Sequence, residues 1–477
     1  MKHKLSAGWI YFFAALGGLL FGYDTGSISG AILFIEKQLS LNSWQQGCVV
    51  SAVLLGAILG AITIGPFSDR YGRRKLLMFT SILFFIGALG SGLAPEFWTL
   101  IVTRIILGLA VGAASALIPT YLAELAPVAK RGMMSGLFQL MVMSGLLLAY
   151  LLNFWLQGLY TGWRWMLGFA AIPAAILFFG AIILPESPRY LVRNNKENVA
   201  RDVLMAMNNN DEQVVNGDIA DIKKQASIKS GGWSELFGPV VHPALVAAVG
   251  LAIFQQVMGC NTVLYYAPTI FTDAGFGVHF ALLSHIWIGI FNVIVTVIGI
   301  WLMNRVSRRK MLIVGGWLMA ITLFIMCWGL MHSSESKFAA DVAVLSMVVY
   351  IASFSGTWGP IMWTMIGEMF PLNIRGLGNS FSAGVNWTAN MIVSLTFPPL
   401  LSAFGKGTLF IGYGIFCLIA IWFVHAKVFE TQGKSLEEIE QWLRTQAAVK
   451  GDLKLSFYGG LKMYDLGGLR IDRCQTV

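Results

Sequence analysis

Apolar runs of roughly twenty residues recur along the chain, parted by short polar stretches. They fall at about 8–32, 46–66, 76–94, 98–121, 134–156, 164–184, 244–268, 281–303, 311–331, 341–367, 377–400 and 407–427. Only helices and closed barrels satisfy their backbone polar groups in lipid, and these runs are too long for strands. The pattern predicts an all-α membrane protein with twelve transmembrane helices, spans 1 to 12. The start, "MKHK" and then an apolar run, has the outline of a signal peptide. The run continues past Asp24 to about Ile35, however, and no small-residue cleavage site closes a short apolar core. It is read as span 1.

Composition leads to the same class. Of the 477 residues, 56% are hydrophobic and 12% charged, where a soluble domain carries about 25% charge. The five cysteines, Cys48, Cys260, Cys327, Cys417 and Cys474, are scattered without a CxxC pair. Neither a disulfide framework nor a zinc site is suggested. No metal-ligand cluster, phosphate loop or nucleophile elbow is found, so neither an enzyme nor a cofactor is expected.

The net charge of +9 changes the picture only through its placement. Arg70, Arg73, Arg74 and Lys75 follow span 2, and Lys130 and Arg131 follow span 4. Arg189, Arg193, Lys196, Arg201, Lys223 and Lys224 follow span 6. Arg305, Arg308, Arg309 and Lys310 follow span 8, and Arg375 follows span 10. The loops after odd spans are nearly bare, with Lys37, Lys337 and Lys406 the main exceptions. Basic loops stay cytoplasmic. A multi-pass protein of the cell membrane is expected, with both termini inside, the lipid bilayer around it and no nucleic-acid partner.

The chain also repeats itself. "SDRYGRRK" (68–75) recurs as "MNRVSRRK" (303–310), "AELAPVAKRG" (123–132) as "GEMFPLNIRG" (367–376), and "LPESPR" (184–189) has a counterpart in "VFETQGKS" (428–435). The order is the same and the offset nearly constant. The repeat divides the chain into a six-helix bundle at 1–188, a cytoplasmic linker with short helices at 189–242, a second bundle at 243–428 and a cytoplasmic tail at 429–477. Within that tail, "SLEEIEQWLR" (435–444) reads as a surface helix, and the stretch after about 450 reads as disordered. Duplicated six-helix halves enclose a midplane site and rock about it, which points to a transporter.

Three groups of polar residues carry the candidate chemistry. Asp24 sits mid-span, where a carboxylate costs about 2.5–3.5 kcal/mol on insertion scales. Gly18, Gly22, Gly26 and Gly30 form a small-residue stripe suited to close helix contact, and Asp24 points away from its centre. Arg104 in span 4 is the available buried cation. The pair is either a structural register pin or a proton carrier that switches when Arg104 moves. In span 7, Gln255, Asn261 and Tyr265 share a helical face, with Gln256 flanking. They either bond neighbouring helices or line a wet cavity. Span 10 is weakened at Gly359–Pro360 and offers Trp358 and Trp363 as stacking platforms, with an interfacial belt as the alternative. Gln139, Asn386, Trp387 and Asn390 complete a set of amides and aromatics suited to a sugar. The charges at the span ends either set topology and snorkel or form a latch that holds the halves together.

These motifs, "DRYGRR", the pairs Glu124–Arg131 and Glu368–Arg375, "PESPR" and the "FQQ…N" of span 7, resemble the sugar porter family of the major facilitator superfamily, over about residues 8–445. The likeness is strongest to bacterial D-xylose–proton symporters. It implies two six-helix bundles and proton-coupled monosaccharide import, D-xylose before arabinose, glucose or galactose, with a facilitative uniporter as the alternative. It implies Asp24 as proton site beside Arg104, where the facilitative relatives have Asn. It implies sugar contacts at Gln139, Gln255, Gln256, Asn261, Trp363, Asn386 and Trp387, with Phe21 and Tyr265 closing the cavity. It further implies a gating network of Asp69, Arg70, Arg73, Arg74, Glu124, Arg131, Glu186, Arg189, Arg305, Arg309, Glu368, Arg375 and Glu430. Sugar and protons are the expected partners, and a single chain is expected to suffice.

Overall fold

The computed structural model describes residues 7–126, 131–208, 211–226 and 231–449 apart from 274, 276, 304, 334, 372 and 435, and then 455–458 and 461–464. Apolar sequence becomes helix throughout. Spans 1 to 5 are single helices: Ala7–Leu39, Ser43–Tyr71, Arg73–Leu93, Phe97–Leu125 and Arg131–Leu156. Span 6 is built from Gly162–Gly168 and Ala171–Ile183, span 7 from His242–Val257 and Cys260–Asp273, and span 10 from Lys337–Gly356 and Trp358–Met369. Spans 8 and 9 are Val278–Met303 and Arg308–Met331. Spans 11 and 12 run together as Arg375–Lys427, bent at Gly405, whose φ of +75° leaves the helical region.

Eleven segments are long and apolar enough to cross a membrane among the described residues; the apolar pattern predicts twelve. The difference is span 11. The helix is present, but Asn379, Asn386 and Asn390 make it less apolar than the rest. Its polarity marks it as a lining helix.

Glycine lets these helices touch. The four glycines of span 1 face span 5, and a Cβ on Gly22 would overlap the carbonyl oxygen of Val142. Between spans 2 and 4, Gly56 meets Gly108 in the same manner, Gly60 lies against the backbone of Leu109, and Gly112 against that of Ala57. Lipid gives apolar helices no hydrophobic drive toward one another, so backbone-close van der Waals packing takes over that role. The halves meet where span 1 packs on span 7, span 2 on span 11 and span 5 on span 8. At one such contact Gly47 lies against the backbone of Leu395.

After span 6 come the short helices Pro188–Arg193, Glu197–Met207, Glu212–Ala226 and Trp233–Leu236. Leu204, Val215 and Ile219 give them a small apolar core of their own. The segment is tied to the first half by Arg193–Asp69 at 3.4 Å, and to the second by Gly231 N–H on the carbonyl of Asn373 at 2.9 Å. The amphipathic helix Leu436–Val449 buries Ile439, Leu443 and Ala447, and Trp442 packs on Phe429. The tail departs from the expected disorder: Leu455–Tyr458 and Leu461–Tyr464 pair as antiparallel strands. Alternating apolar residues either side of Gly459-Gly460 are a hairpin signal that outweighs the tail's polar character.

Gly22→Val forces spans 1 and 5 apart. Overpacking of this kind costs about 1–3 kcal/mol or more. The expected outcome is a purified protein that melts several degrees lower or aggregates, read by thermal unfolding in detergent, while Gly65→Val, at a position with open space around it, melts as the wild type does.

Candidate transport site

Span 4 is held so close to span 2 by its glycines that Arg104 reaches inward. Its Nη1 donates to Asp24 Oδ1 of span 1 at 2.8 Å, and its Nε to the carbonyl of Val49 at 3.3 Å. Arg104 is 1% and Asp24 4% exposed. A cavity of about 10 Å³ adjoins the pair, near the smallest that holds one water. Phe21, Tyr265 and Trp387 share its wall with Asp24 and Arg104. Phe21 of span 1 packs on Trp387 of span 11 across the halves, ring centroids 5.6 Å apart. Tyr265 faces Thr25 and Asn390.

Asn386, next to Trp387 in span 11, belongs to a cluster of amides. Span 7 breaks at Gly259, whose φ is +87° and where a Cβ would strike the Tyr413 ring. The break sets Gln255 and Gln256 at the end of one helix and Asn261 at the start of the next. Asn261 Nδ2 donates to Gln256 Oε1 at 2.7 Å, and Gln256 Nε2 to Asn386 Oδ1 at 3.2 Å. Asn386 Nδ2 donates to Gln255 Oε1 at 2.9 Å and to the carbonyl of Ala252 at 3.0 Å. Gln255 Nε2 in turn reaches the carbonyls of Trp358 and Gly359, just past the break in span 10, at 3.1 and 3.3 Å. Three spans are stitched together by groups able to exchange these bonds for sugar hydroxyls.

Not every candidate joins. Gln139 is half-buried on span 5. Trp363 is 42% exposed and stands apart from the amide cluster. Trp358, the other aromatic candidate in span 10, is fully buried and donates its Nε1–H to the carbonyl of Leu312 at 2.9 Å. It anchors span 10 to span 9 and is not a stacking platform.

The charged ends are built twice. In the first half Arg73 grips Glu124 with Nε at 3.0 Å and Nη2 at 3.1 Å, and reaches Asp69 at 3.2 Å. Ser187 Oγ donates to Glu124 at 2.5 Å. Glu186 accepts the backbone N–H groups of Arg73 and Arg74 at 2.8 and 3.2 Å, so a carboxylate caps span 3 where the helix dipole is positive. Arg74 donates to the last carbonyls of span 6, Ala181 and Ile182. In the second half Arg308 pairs with Glu368, Glu430 accepts the backbone N–H of Arg309 at 3.1 Å, and Arg309 donates to the carbonyl of His425 in span 12 at 2.5 Å.

The motif likeness assigns Arg305 and Arg309 to this network. The structure gives the ion pair to Arg308, which is the repeat partner of Arg73. Arg305 lies over the ring of Trp301 at 4.0 Å instead. Aligning "GRRK" with "SRRK" residue by residue points to Arg308. Also missed from sequence alone are Ser187, which donates to Glu124, and Ser307 and the backbone N–H of Thr431, which donate to Glu430. Arg70 lies over Tyr71, Arg189 stands in the short helix after span 6, and Arg375 Nε donates to the carbonyl of Phe370 at 3.4 Å. The side chain of Arg131 lies outside the described residues. The ion pairs Arg73–Glu124, Arg73–Asp69 and Arg308–Glu368 each stay within one half.

A twelve-helix bundle with duplicated ends, a buried ion pair in its first half and an amide cluster in its second, joined across the halves by Phe21 and Trp387, is the frame of a membrane transporter. The chain belongs to the Sugar (and other) transporter family, which it matches over residues 10–443. It is 67% identical over 443 residues, 93% of this chain and 97% of the relative, to a D-xylose transporter of Levilactobacillus brevis. Among solved structures it is similar to the major facilitator superfamily proton:xylose symporter XylE bound to 6-bromo-6-deoxy-D-glucose, at 34% identity and a TM-score of 0.77, covering 91% of this chain and 98% of that one. It is similar also to the inward open xylose transporter XylE from E. coli, at 32% identity and a TM-score of 0.78, covering 91% and 99%.

Glu430 yields a pH prediction. Burial pushes its carboxyl up, but hydrogen bonds from Ser307 and from the backbone of Gln432, Arg309 and Thr431 outweigh this and hold it below its usual range. A carboxylate held low in the folded state adds stability above its unfolded value of about 4.5, and loses it as pH falls through the folded value. Glu430→Gln is expected to melt below wild type at pH about 7. The gap between the two melting curves closes as the pH is taken well below about 4.5.

Proposed function

We propose that this protein imports a monosaccharide, D-xylose first, together with a proton, by alternating access of two six-span bundles at 1–188 and 243–428. The observation that carries the reading is the Asp24–Arg104 pair sharing one cavity wall with Phe21, Tyr265 and Trp387. A change at the sugar site is thereby felt at the charge pair. Separation from Arg104 would leave the Asp24 carboxylate buried and unpaired, a state that a proton relieves. Gln255, Gln256, Asn261 and Asn386 supply donors and acceptors for the sugar hydroxyls, Trp387 an apolar face, and Gln139 and Trp363 the opposite wall once the halves close.

The positive-inside rule supports placing the basic ends in the cytoplasm, with both termini inside the cell membrane's inner face. Charge pairs that stay within each half, with the opposite ends in contact through Gly47 and Leu395, suit an inward-facing state. The duplicated charges then act as a latch, closing across the halves when the cavity turns outward. Similarity to a D-xylose transporter and to a proton:xylose symporter favours xylose. Another pentose or hexose is the second reading, since the same amides serve several sugars. Asp24 argues against a facilitative uniporter, and one chain contains the whole site.

The test is uptake of labelled D-xylose into proteoliposomes under an inward proton gradient. Wild type accumulates xylose uphill, and an uncoupler abolishes this. Asp24→Asn is expected to equilibrate xylose without accumulating it; uphill uptake by that variant would sink the assignment. Gln256→Ala is expected to raise the half-saturating xylose concentration by about tenfold, the equivalent of one lost hydrogen bond of about 1.4 kcal/mol.

A further inference from the structure

A buried polar contact crosses the halves near the end opposite the basic loops. His285 of span 8 is 1% exposed. Its Nδ1 lies 3.4 Å from Ser29 Oγ of span 1. Its ring stacks on Tyr150 of span 5, with centroids 4.1 Å apart and planes at 22°. Ser29 has a single hydroxyl hydrogen, and the carbonyl of Gly26 takes it at 2.7 Å. By that hydrogen-bond network Nδ1 carries the imidazole's proton and donates to Ser29. The lone pair of Nε2 is then buried without a partner among the described residues. It is a proton acceptor sealed away from water.

Among the described residues no carboxylate lies against the ring to balance a positive charge, and the other histidine of span 8 at this end, His279, meets Phe154 and Gln157 at the end of span 5. Ser29 faces the ring from span 1 and Tyr150 from span 5. Cys260 and Tyr265 of span 7 lie near Tyr150. Asp341 of span 10 lines a membrane-facing groove with Phe280, Ser284 and Trp287 of span 8. Asp24 is already engaged by Arg104. An imidazolium in this contact would be a buried cation without a counter-ion, which is costly. Once the halves part at this end, water reaches the ring and the cost disappears.

We propose that His285 is a proton-sensitive latch of the outer gate: the gate closes over the neutral imidazole, and a proton taken from outside holds it open. The proposal rests on the orientation given above, which makes this end the outer one. It separates two proton sites by duty. Asp24 carries its proton inward with the sugar, whereas His285 must shed its proton before the gate can shut. Strong external acid therefore drives uptake through the first site and retards closure through the second.

Hydrogen–deuterium exchange of the full chain in nanodiscs tests this without sugar or transport. An exposed imidazole titrates near about 6.5. If only the open gate binds the proton, the open-to-closed ratio rises by up to about 30-fold between pH about 7.5 and about 5. After correction for intrinsic exchange, peptides covering 26–39, 148–156 and 278–290 are expected to lose protection at the lower pH. His285→Gln, and His285→Phe, which keeps the stack on Tyr150, are expected to lose that response, while Ser29→Ala, which keeps the imidazole, retains it. Equal protection of wild type at both pH values overturns the proposal, as does an acid response that survives in either folded His285 variant. Because no transport is measured, either result leaves the symport reading to its own test.

Discussion

Asp24 and Arg104 are held 2.8 Å apart with almost no exposure, and neither charge is tolerable there alone. An isolated buried ion costs several kcal/mol even after relaxation. Spans 1 and 4 must therefore arrive at the same depth and the same rotation. The glycines enforce this. Gly18, Gly22, Gly26 and Gly30 seat span 1 on span 5, while Gly108 and Gly112 seat span 4 on span 2. Neither contact leaves room for a side chain, so helix rotation is set by backbone shape and the two charged groups are brought face to face. The neighbouring contacts, Phe21 on Trp387 and Tyr265 at the same wall, inherit their positions from that seating.

The duplicated ends solve a different problem with one device used twice. A helix start leaves N–H groups unpaired. Glu186 takes those of span 3 and Glu430 those of span 9. A helix end leaves carbonyls, which Arg74 and Arg309 take from spans 6 and 12. Each half thus binds its last span back to its third, and the ion pairs Arg73–Glu124 and Arg308–Glu368 add the fourth span of each set. Charges that read as topology signals also hold each bundle together as a body that can move as one.

Much of this is legible in the sequence because lipid as solvent allows so few solutions. The apolar runs become helices, the glycine stripe becomes a contact, and Asp24 meets the one cation expected for it. The departures have physical causes. Arg305 stands out as readily as Arg308, because neighbouring arginines look alike until helix rotation decides which faces Glu368, while Arg309 joins the network through Glu430 and the carbonyl of His425. Trp358 and Trp363 are five residues apart on the one helix that follows the break at Thr357, a spacing that turns one into the core and leaves the other open. The paired strands at 455–458 and 461–464 are hidden in a polar tail. His285 carries no signal at all, since a single histidine in an apolar run gains its meaning from Ser29 and Tyr150, far away in the chain.

The amide cluster has one more consequence. Gln255, Gln256, Asn261 and Asn386 are bonded to one another. If this cluster is the sugar site, as proposed, an incoming hydroxyl replaces a bond and does not fill a gap, and the enthalpy gained per contact is small. An epimer that breaks the same bonds but cannot remake them all leaves buried amides stranded. On that reading, amides already bonded to one another would select a ligand chiefly by rejection: they lose little by keeping to themselves, and lose much around an occupant that fits imperfectly.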